Sequence, residues 1–256
     1  MNLIDSLDLK PREIISLVGG GGKTTLMFAL ARELSEAGHK VITTTTTKIF
    51  EPSLQESPKT ILLGESQNWR DWLRRELDGY GHITLAQERI PEAKLKGISP
   101  ELVVELEGSK LAPYIIVEAD GSRQHPLKAP NATEPVIPEN TTLVITVTGI
   151  EALNRPLTED FVFRAQIAAQ LLGLPLESPV TAEAIAALIT HPNGIAKGSP
   201  ATARIIPFIN KMDLNTDLLS ARDLAAKILT RRHSQIERVI LGQVNSRRNP
   251  VREIVK

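Results

Sequence analysis

The run Gly19-Gly20-Gly21-Gly22-Lys23-Thr24-Thr25 constrains this chain more than any other stretch. It follows an apolar run of strand length, IISLV at 14–18, and opens into a segment where Leu26, Leu30, Leu34 and Ala37 share one helical stripe before Gly38 ends it. Strand, glycine loop and helix in that order suit a phosphate cradle. Glycines let the backbone curl until successive N–H groups converge on oxyanions, and the helix N-terminus adds partial positive charge. In such a cradle Lys23 reaches the terminal phosphates of a nucleoside triphosphate, Thr24 binds Mg²⁺, and Thr25 caps the helix or contacts the α-phosphate. The competing reading is a glycine turn with a solvated lysine. It does not explain why four glycines, each costly in backbone entropy, stand together at a strand end.

The chain therefore reads as a P-loop nucleotide-binding protein. The full pattern G-x-x-x-x-G-K-[ST] would need glycine at position 17, which is Leu17. What remains, G-x-x-G-K-T, resembles the shorter loop of Mur-type ligases and folylpolyglutamate synthases. The loop alone leaves GTP and ATP both open.

Further apolar runs of strand length recur at 40–45, 60–64, 82–86, 114–118, 143–148, 204–210 and 238–244, several apolar on both faces. Amphipathic segments lie between many of them, with caps at Ser99–Pro100, Thr158, Thr181 and Thr216, the last before a run reaching His233. Strand, helix, strand implies parallel pairing. The expected fold is α/β, a doubly wound, mostly parallel sheet in three layers, formed by residues 1–256 as one domain with an insertion or edge subdomain at 51–112.

Thirty basic and thirty acidic residues balance, so no overall field draws the chain to nucleic acid or an anionic membrane. The absence of cysteine removes disulfides, thiolate metal sites and a cysteine nucleophile, so a metal here needs oxygen or imidazole ligands. The polar start MNLIDSLDLKPRE lacks a signal-peptide core, and no apolar run approaches the ~20 residues of a membrane span. A cytoplasmic location is expected.

Two more motifs follow the glycine loop. The strand YIIVE ends in Glu118-Ala119-Asp120-Gly121, which places a carboxylate where a parallel strand emerges, the edge at which ligands bind. Either Glu118 or Asp120 can orient Mg²⁺, and Gly121 can offer its N–H to the γ-phosphate. The spacing looks like the E-x-x-G of GTPases that help to build metal centres. A turn cap at a strand end is the alternative. Downstream, RIIPFIN delivers Asn210-Lys211-Met212-Asp213, a match to the N-K-x-D signature for guanine. Asp213 would accept from the guanine ring N–H and amine, Lys211 would lay its stem along the ring, and Asn210 would tie this turn to the phosphate loop. An Asn/Asp turn before a helix would look the same.

Weaker candidates are the threonines at 43–47 with Lys48, which stand where a γ-phosphate or Mg²⁺ sensor would. Arg123 or Lys128 in SRQHPLKAP is placed to neutralise transition-state charge. His125 is a candidate ligand or base, and Arg155 a loop contact.

Together, VGGGGKTT, TTTTK, VEADGSRQHPLKAP, VTGIEALNRPL and FINKMD resemble the YqeC family of accessory proteins of selenium-dependent molybdenum hydroxylases, from about Ile14 to Val244. The resemblance implies an NTPase that assists maturation of such a hydroxylase, with the enzyme or its cofactor-insertion machinery as partner. Without cysteine, the chain cannot itself carry selenium or sulfur on a thiol. The expectation is a Mg²⁺-dependent GTPase with Lys23, Glu118, Asp120 and Arg123 at its catalytic centre. An ATP-dependent ligase or small-molecule kinase is the alternative, and a homodimer remains open.

Overall fold

Each of the eight apolar runs becomes a strand of one sheet, because residues apolar on both faces must be covered on both. The computed structural model describes residues 1–65, 68–214 and 218–256. Its strands are β1 (Glu13–Gly19), β2 (Val41–Thr45), β3 (Lys48–Phe50), β4 (Thr60–Leu62), β5 (His82–Ala86), β6 (Glu88–Ile90) and β7 (Lys94–Lys96). They continue as β8 (Tyr114–Glu118), β9 (Leu127–Lys128), β10 (Leu143–Gly149), β11 (Val162–Phe163), β12 (Arg204–Asn210), β13 (Val239–Gly242) and β14 (Val251–Val255). The α-helices are α1 (Leu3–Ser6), α2 (Lys23–Glu36), α3 (Trp69–Tyr80), α4 (Pro100–Ser109), α5 (Ala165–Leu172), α6 (Ala182–Thr190) and α7 (Leu218–Thr230).

The main sheet runs β14-β13-β12-β10-β1-β8-β2-β5-β4, parallel except for β14, which pairs antiparallel with β13. Alternation along β1 assigns the layers. Ile15 and Leu17 pack with Leu26, Met27, Leu30 and Leu34 of α2 on one face. On the other face Ile14 joins the core with α3 and α4, while Val18 joins that with α5, α6 and α7. The sheet is thus covered on both sides in three layers, as the patterning predicts. Order also reverses about β1, with β8 on one side and β10 on the other. A crevice at the carboxyl ends of the strands belongs at such a point.

Segment 51–112 extends this sheet: β4 and β5 form its edge in parallel with β2, and β6 and β7 join β3 in a small antiparallel sheet. Two helix starts follow the sequence, with Ser99 accepting from the Leu102 N–H and Thr181 from the Ala184 N–H. The start at Thr158 needs correction. Val162 and Phe163 pair with β9, so α5 begins only at Ala165, and the Glu159 carboxylate takes the N–H groups of Arg164 and Ala165 at 3.0 and 2.7 Å. Thr216 lies outside the described residues, and α7 ends at Thr230, short of His233.

Candidate functional site

β1 ends at Gly19 and α2 begins at Lys23, so only Gly20–Gly22 turn the chain between them. Gly21 and Gly22 have φ of +76° and +117°, left-handed backbone that suits glycine. Among the described residues, the N–H groups of Lys23, Thr24 and Thr25 have no partner, and the ladder of α2 starts with Leu26 N–H to Gly22 O at 3.0 Å. The N-cap, Gly22, has no side chain to satisfy them. Three N–H donors at a helix start, beside partly exposed Thr24 and exposed Thr25, are the arrangement an oxyanion fills.

The glycines answer a second demand as well. Gly20 N–H donates to Val147 O and Gly21 N–H to His125 O, both at 2.9 Å, and Gly149 N–H donates to Pro126 O at 2.8 Å. Segment 125–127 and the end of β10 therefore lie against the loop. A Cβ on Gly20 would sit 2.5 Å from His125 O, and one on Gly21 would sit 2.1 Å from Gly149 N.

Lys23 is buried, with its ammonium 2.7 Å from Gly19 O, 3.2 Å from Asp120 Oδ1 and 3.6 Å from Glu118 Oε1. Burial alone would lower its pKa, but the Asp120 and Glu118 carboxylates outweigh that and hold it above the ordinary lysine value. Glu118 moves upward too, because burial pushes its carboxyl up and Asp120 adds like charge, while Lys23 and the Thr24 hydroxyl only partly oppose them. The two shifts differ in balance because Lys23 faces two carboxylates and Glu118 faces one ammonium.

The acids occupy different places. Partly exposed Thr24 donates from Oγ1 to Glu118 Oε2 at 2.7 Å. Asp120 is wholly buried. Its Oδ2 accepts from Gly19 N–H at 3.0 Å and pairs with Lys128 Nζ at 2.9 Å. Lys128, also wholly buried, bonds Gly121 O at 2.6 Å and Glu134 at 3.0 Å, and Glu134 pairs in turn with Arg164 at 2.8 Å. Burial would raise the Glu134 carboxyl, but Lys128 and Arg164 bring it below its usual range. Glu134 and Arg164 carried no sequence signal, since neither stands in a motif. Arg123 is exposed, its guanidinium 5.3 Å from the Phe163 ring centre, and His125 Nε2 lies 2.6 Å from Glu159 O.

Asn210 is buried and joins the third motif to the first: its Nδ2 donates to Gly21 O at 2.9 Å, and its Oδ1 accepts from Val244 N–H at 3.2 Å. Lys211, in left-handed backbone, pairs with Glu151. Asp213 is exposed just beyond β12. Glu151 also lines an open cavity of about 450 Å³ with Ile150, Leu153, Asn154, Arg155 and Leu214.

The threonine run is largely a structural ladder. Thr44, Thr45 and Thr46 donate their hydroxyls to Leu85 O, Glu118 O and Val136 O, each at 2.7 Å, and Lys48 is exposed. Among the described residues no three His, Asp or Glu side chains form a metal cluster. Thr24 and Glu118 nonetheless supply two hard oxygen donors side by side, the kind of set Mg²⁺ uses when phosphates and waters complete its shell.

Fold and site together define an α/β protein whose central parallel strand passes through a glycine loop into a helix. The family model described as "YqeC protein" matches residues 15–166, more than half of the chain. A YqeC protein of Escherichia coli (strain K12) is 29% identical over 250 residues, covering 94% of this chain and 91% of that one. The chain belongs to the YqeC family. Among solved structures it is similar to FtsY from Mycoplasma mycoides at 12% identity and a TM-score of 0.32, over 97% of this chain and 66% of that one, a likeness too distant to bear on function.

Proposed function

We propose that this protein binds and hydrolyses a nucleoside triphosphate with Mg²⁺, with GTP preferred. The observation that carries the reading is the set of three unpartnered N–H groups at residues 23–25 beside the Thr24–Glu118 pair, at the strand ends where the sheet order reverses. The N–H groups of residues 23–25 and the Lys23 ammonium would hold the β- and γ-phosphates, and Gly121 N–H would meet the γ-phosphate. Thr24 and Glu118 would hold Mg²⁺, which when bound would neutralise phosphate charge and draw electron density from the bond that breaks. Asp120 would fix Lys23 and Gly19, and Arg123 would approach the transferring phosphoryl group from the rim. Turnover by the chain alone should be slow, with hydrolysis used to change its shape towards a partner.

The guanine preference rests on Asn210, whose bonds hold the N-K-x-D turn against the glycine loop and leave Asp213 exposed for the base. We further propose, from the family resemblance, a cytoplasmic accessory role in maturation of a selenium-dependent molybdenum hydroxylase. Among the described residues no helix is long and apolar enough to cross a membrane.

A second reading is an ATP-dependent ligase or small-molecule kinase. One observation favours it: the cavity lined by Glu151 and Arg155 adjoins Gly149, which packs on Gly21, so a small acceptor there would sit near the loop. Calorimetric titration with Mg·GTP and Mg·ATP, repeated with Asp213→Asn, separates the two. Preference for GTP of at least about tenfold, near 1.4 kcal/mol, with a shift towards xanthine nucleotide in the variant, is expected. Equal or better ATP binding that ignores Asp213 would sink the guanine assignment. No binding of either nucleotide would sink the whole reading.

A further inference from the structure

We propose that Lys128 is a positioning residue whose buried charge releases Lys23 from Asp120 for use on phosphate. The inference rests on the glycine loop being a triphosphate site. Three cations, Lys23, Lys128 and Arg164, alternate with three anions, Glu118, Asp120 and Glu134, in a continuous chain that runs from the loop through the buried Asp120–Lys128 pair to the partly exposed Glu134 and Arg164. Asp120 stands between the two lysines, its Oδ1 towards Lys23 at 3.2 Å and its Oδ2 towards Lys128 at 2.9 Å. To engage phosphate, the Lys23 ammonium must loosen its hold on Asp120. A wholly buried carboxylate left with no cation carries a large desolvation penalty, so it would keep Lys23. Lys128 removes that constraint, because Asp120 retains a buried partner and the Gly19 N–H whichever way Lys23 leans.

Lys128 is itself fixed at three points. Gly121 O and Glu134 hold its remaining protons at 2.6 and 3.0 Å, and the side chain is fully buried, out of reach of a phosphate in solvent. Glu134 competes with Asp120 for this lysine, and Arg164 limits the competition by pairing with Glu134 at 2.8 Å. The strength with which Lys23 is held back is thereby set some residues away from the loop, by a pair that does not touch it.

The test is Mg·GTP and Mg·ATP affinity by calorimetry for the wild type, Lys128→Met, and Lys128→Met combined with Asp120→Asn, each checked for folding by far-UV circular dichroism. Lys128→Met should weaken binding at least about tenfold, and adding Asp120→Asn should restore most of it, because the group that traps Lys23 is then neutral. If Lys128 only packs, the double variant would bind no better than the single one, and that result overturns the proposal, as would an unweakened Lys128→Met. Should Lys128→Met not fold, Glu134→Gln at its partly exposed site decides. It removes the competing anion and should tighten binding by about two- to threefold, whereas weaker binding would refute the scheme. Failure of the wild type to bind either nucleotide would count against the triphosphate reading itself, and is distinct from each of these outcomes.

Discussion

Replacing Gly21 with alanine separates two reasons for a glycine that sequence cannot distinguish. Gly38, just after α2, provides the control: its φ is +86° and an added Cβ meets nothing within 4 Å. Gly38→Ala should therefore lose only the left-handed backbone penalty, about 1 to 2 kcal/mol. Gly21 has a similar φ of +76°, but its Cβ would lie 2.1 Å from Gly149 N, 2.6 Å from Gly149 Cα and 2.9 Å from Thr148 C. Those atoms are backbone at the end of β10 and cannot rotate away. Overpacking of this kind adds about 1 to 3 kcal/mol, so Gly21→Ala should lose about 2 to 5 kcal/mol in all. Urea unfolding followed by far-UV circular dichroism gives both values without any nucleotide present. If Gly21→Ala is no less stable than Gly38→Ala, the close packing of the glycine loop on β10 is wrong. The loop would then need its glycines for a ligand alone.

Two other effects can be checked in the same assay. Asn210→Ala removes a buried donor to Gly21 O and the acceptor of Val244 N–H, and should cost about 2 to 3 kcal/mol; a loss under about 0.5 kcal/mol would show that the tie carries no weight. His82, buried against Thr43 Oγ1 at 3.0 Å, is pushed by burial from 6.5 down to about 4. Its folded-state pKa is depressed, so between pH 6.5 and about 4 the unfolded chain takes up a proton that the folded chain does not. Stability should fall as pH drops through that window, by up to about 1.4 kcal/mol per pH unit from this residue. His82→Gln should flatten the slope; an unchanged slope would assign it to other groups.

The sheet was legible where burial leaves no choice. IISLV, YIIVE and LVITVT are apolar on both faces and can only be central parallel strands. β14 was not read, because VREIV carries two charges and pairs at the edge, where one side meets solvent. β6 and β7 are three-residue strands, ERI and KLK, too short and too charged to show a period. Thr158 fits the pattern of a helix cap, yet the pairing of Val162 and Phe163 with β9 delays the helix, and Glu159 does the capping. At the site, local motifs gave Lys23, Glu118, Asp120 and Asn210, and the tie of Asn210 to the glycine loop, but not the pairing of Lys23 with the two acids. The bond from Gly21 to His125 and the pair of Lys128 with Glu134 depend on how segment 121–134 folds back, and no short pattern records that.

The two acids at the end of β8 show how position divides one motif into two tasks. Glu118 and Asp120 are two residues apart, and either fits a Mg²⁺ role by type and place. Asp120 has both oxygens turned inward to buried groups, and without it Gly19 N–H would lose its acceptor while the buried Lys128 ammonium would keep Glu134 as its one anion. A buried ion pair broken on one side is destabilising by about 3 to 5 kcal/mol, so this carboxylate is held in place by the fold before any metal is considered. Glu118 has one oxygen on the Thr24 hydroxyl and the other 3.6 Å from Lys23, long for a charge-assisted bond. The same geometry that makes Asp120 hard to replace leaves Glu118 with the looser set of bonds, and its partner Thr24 carries one of the three unpartnered N–H groups at the start of α2.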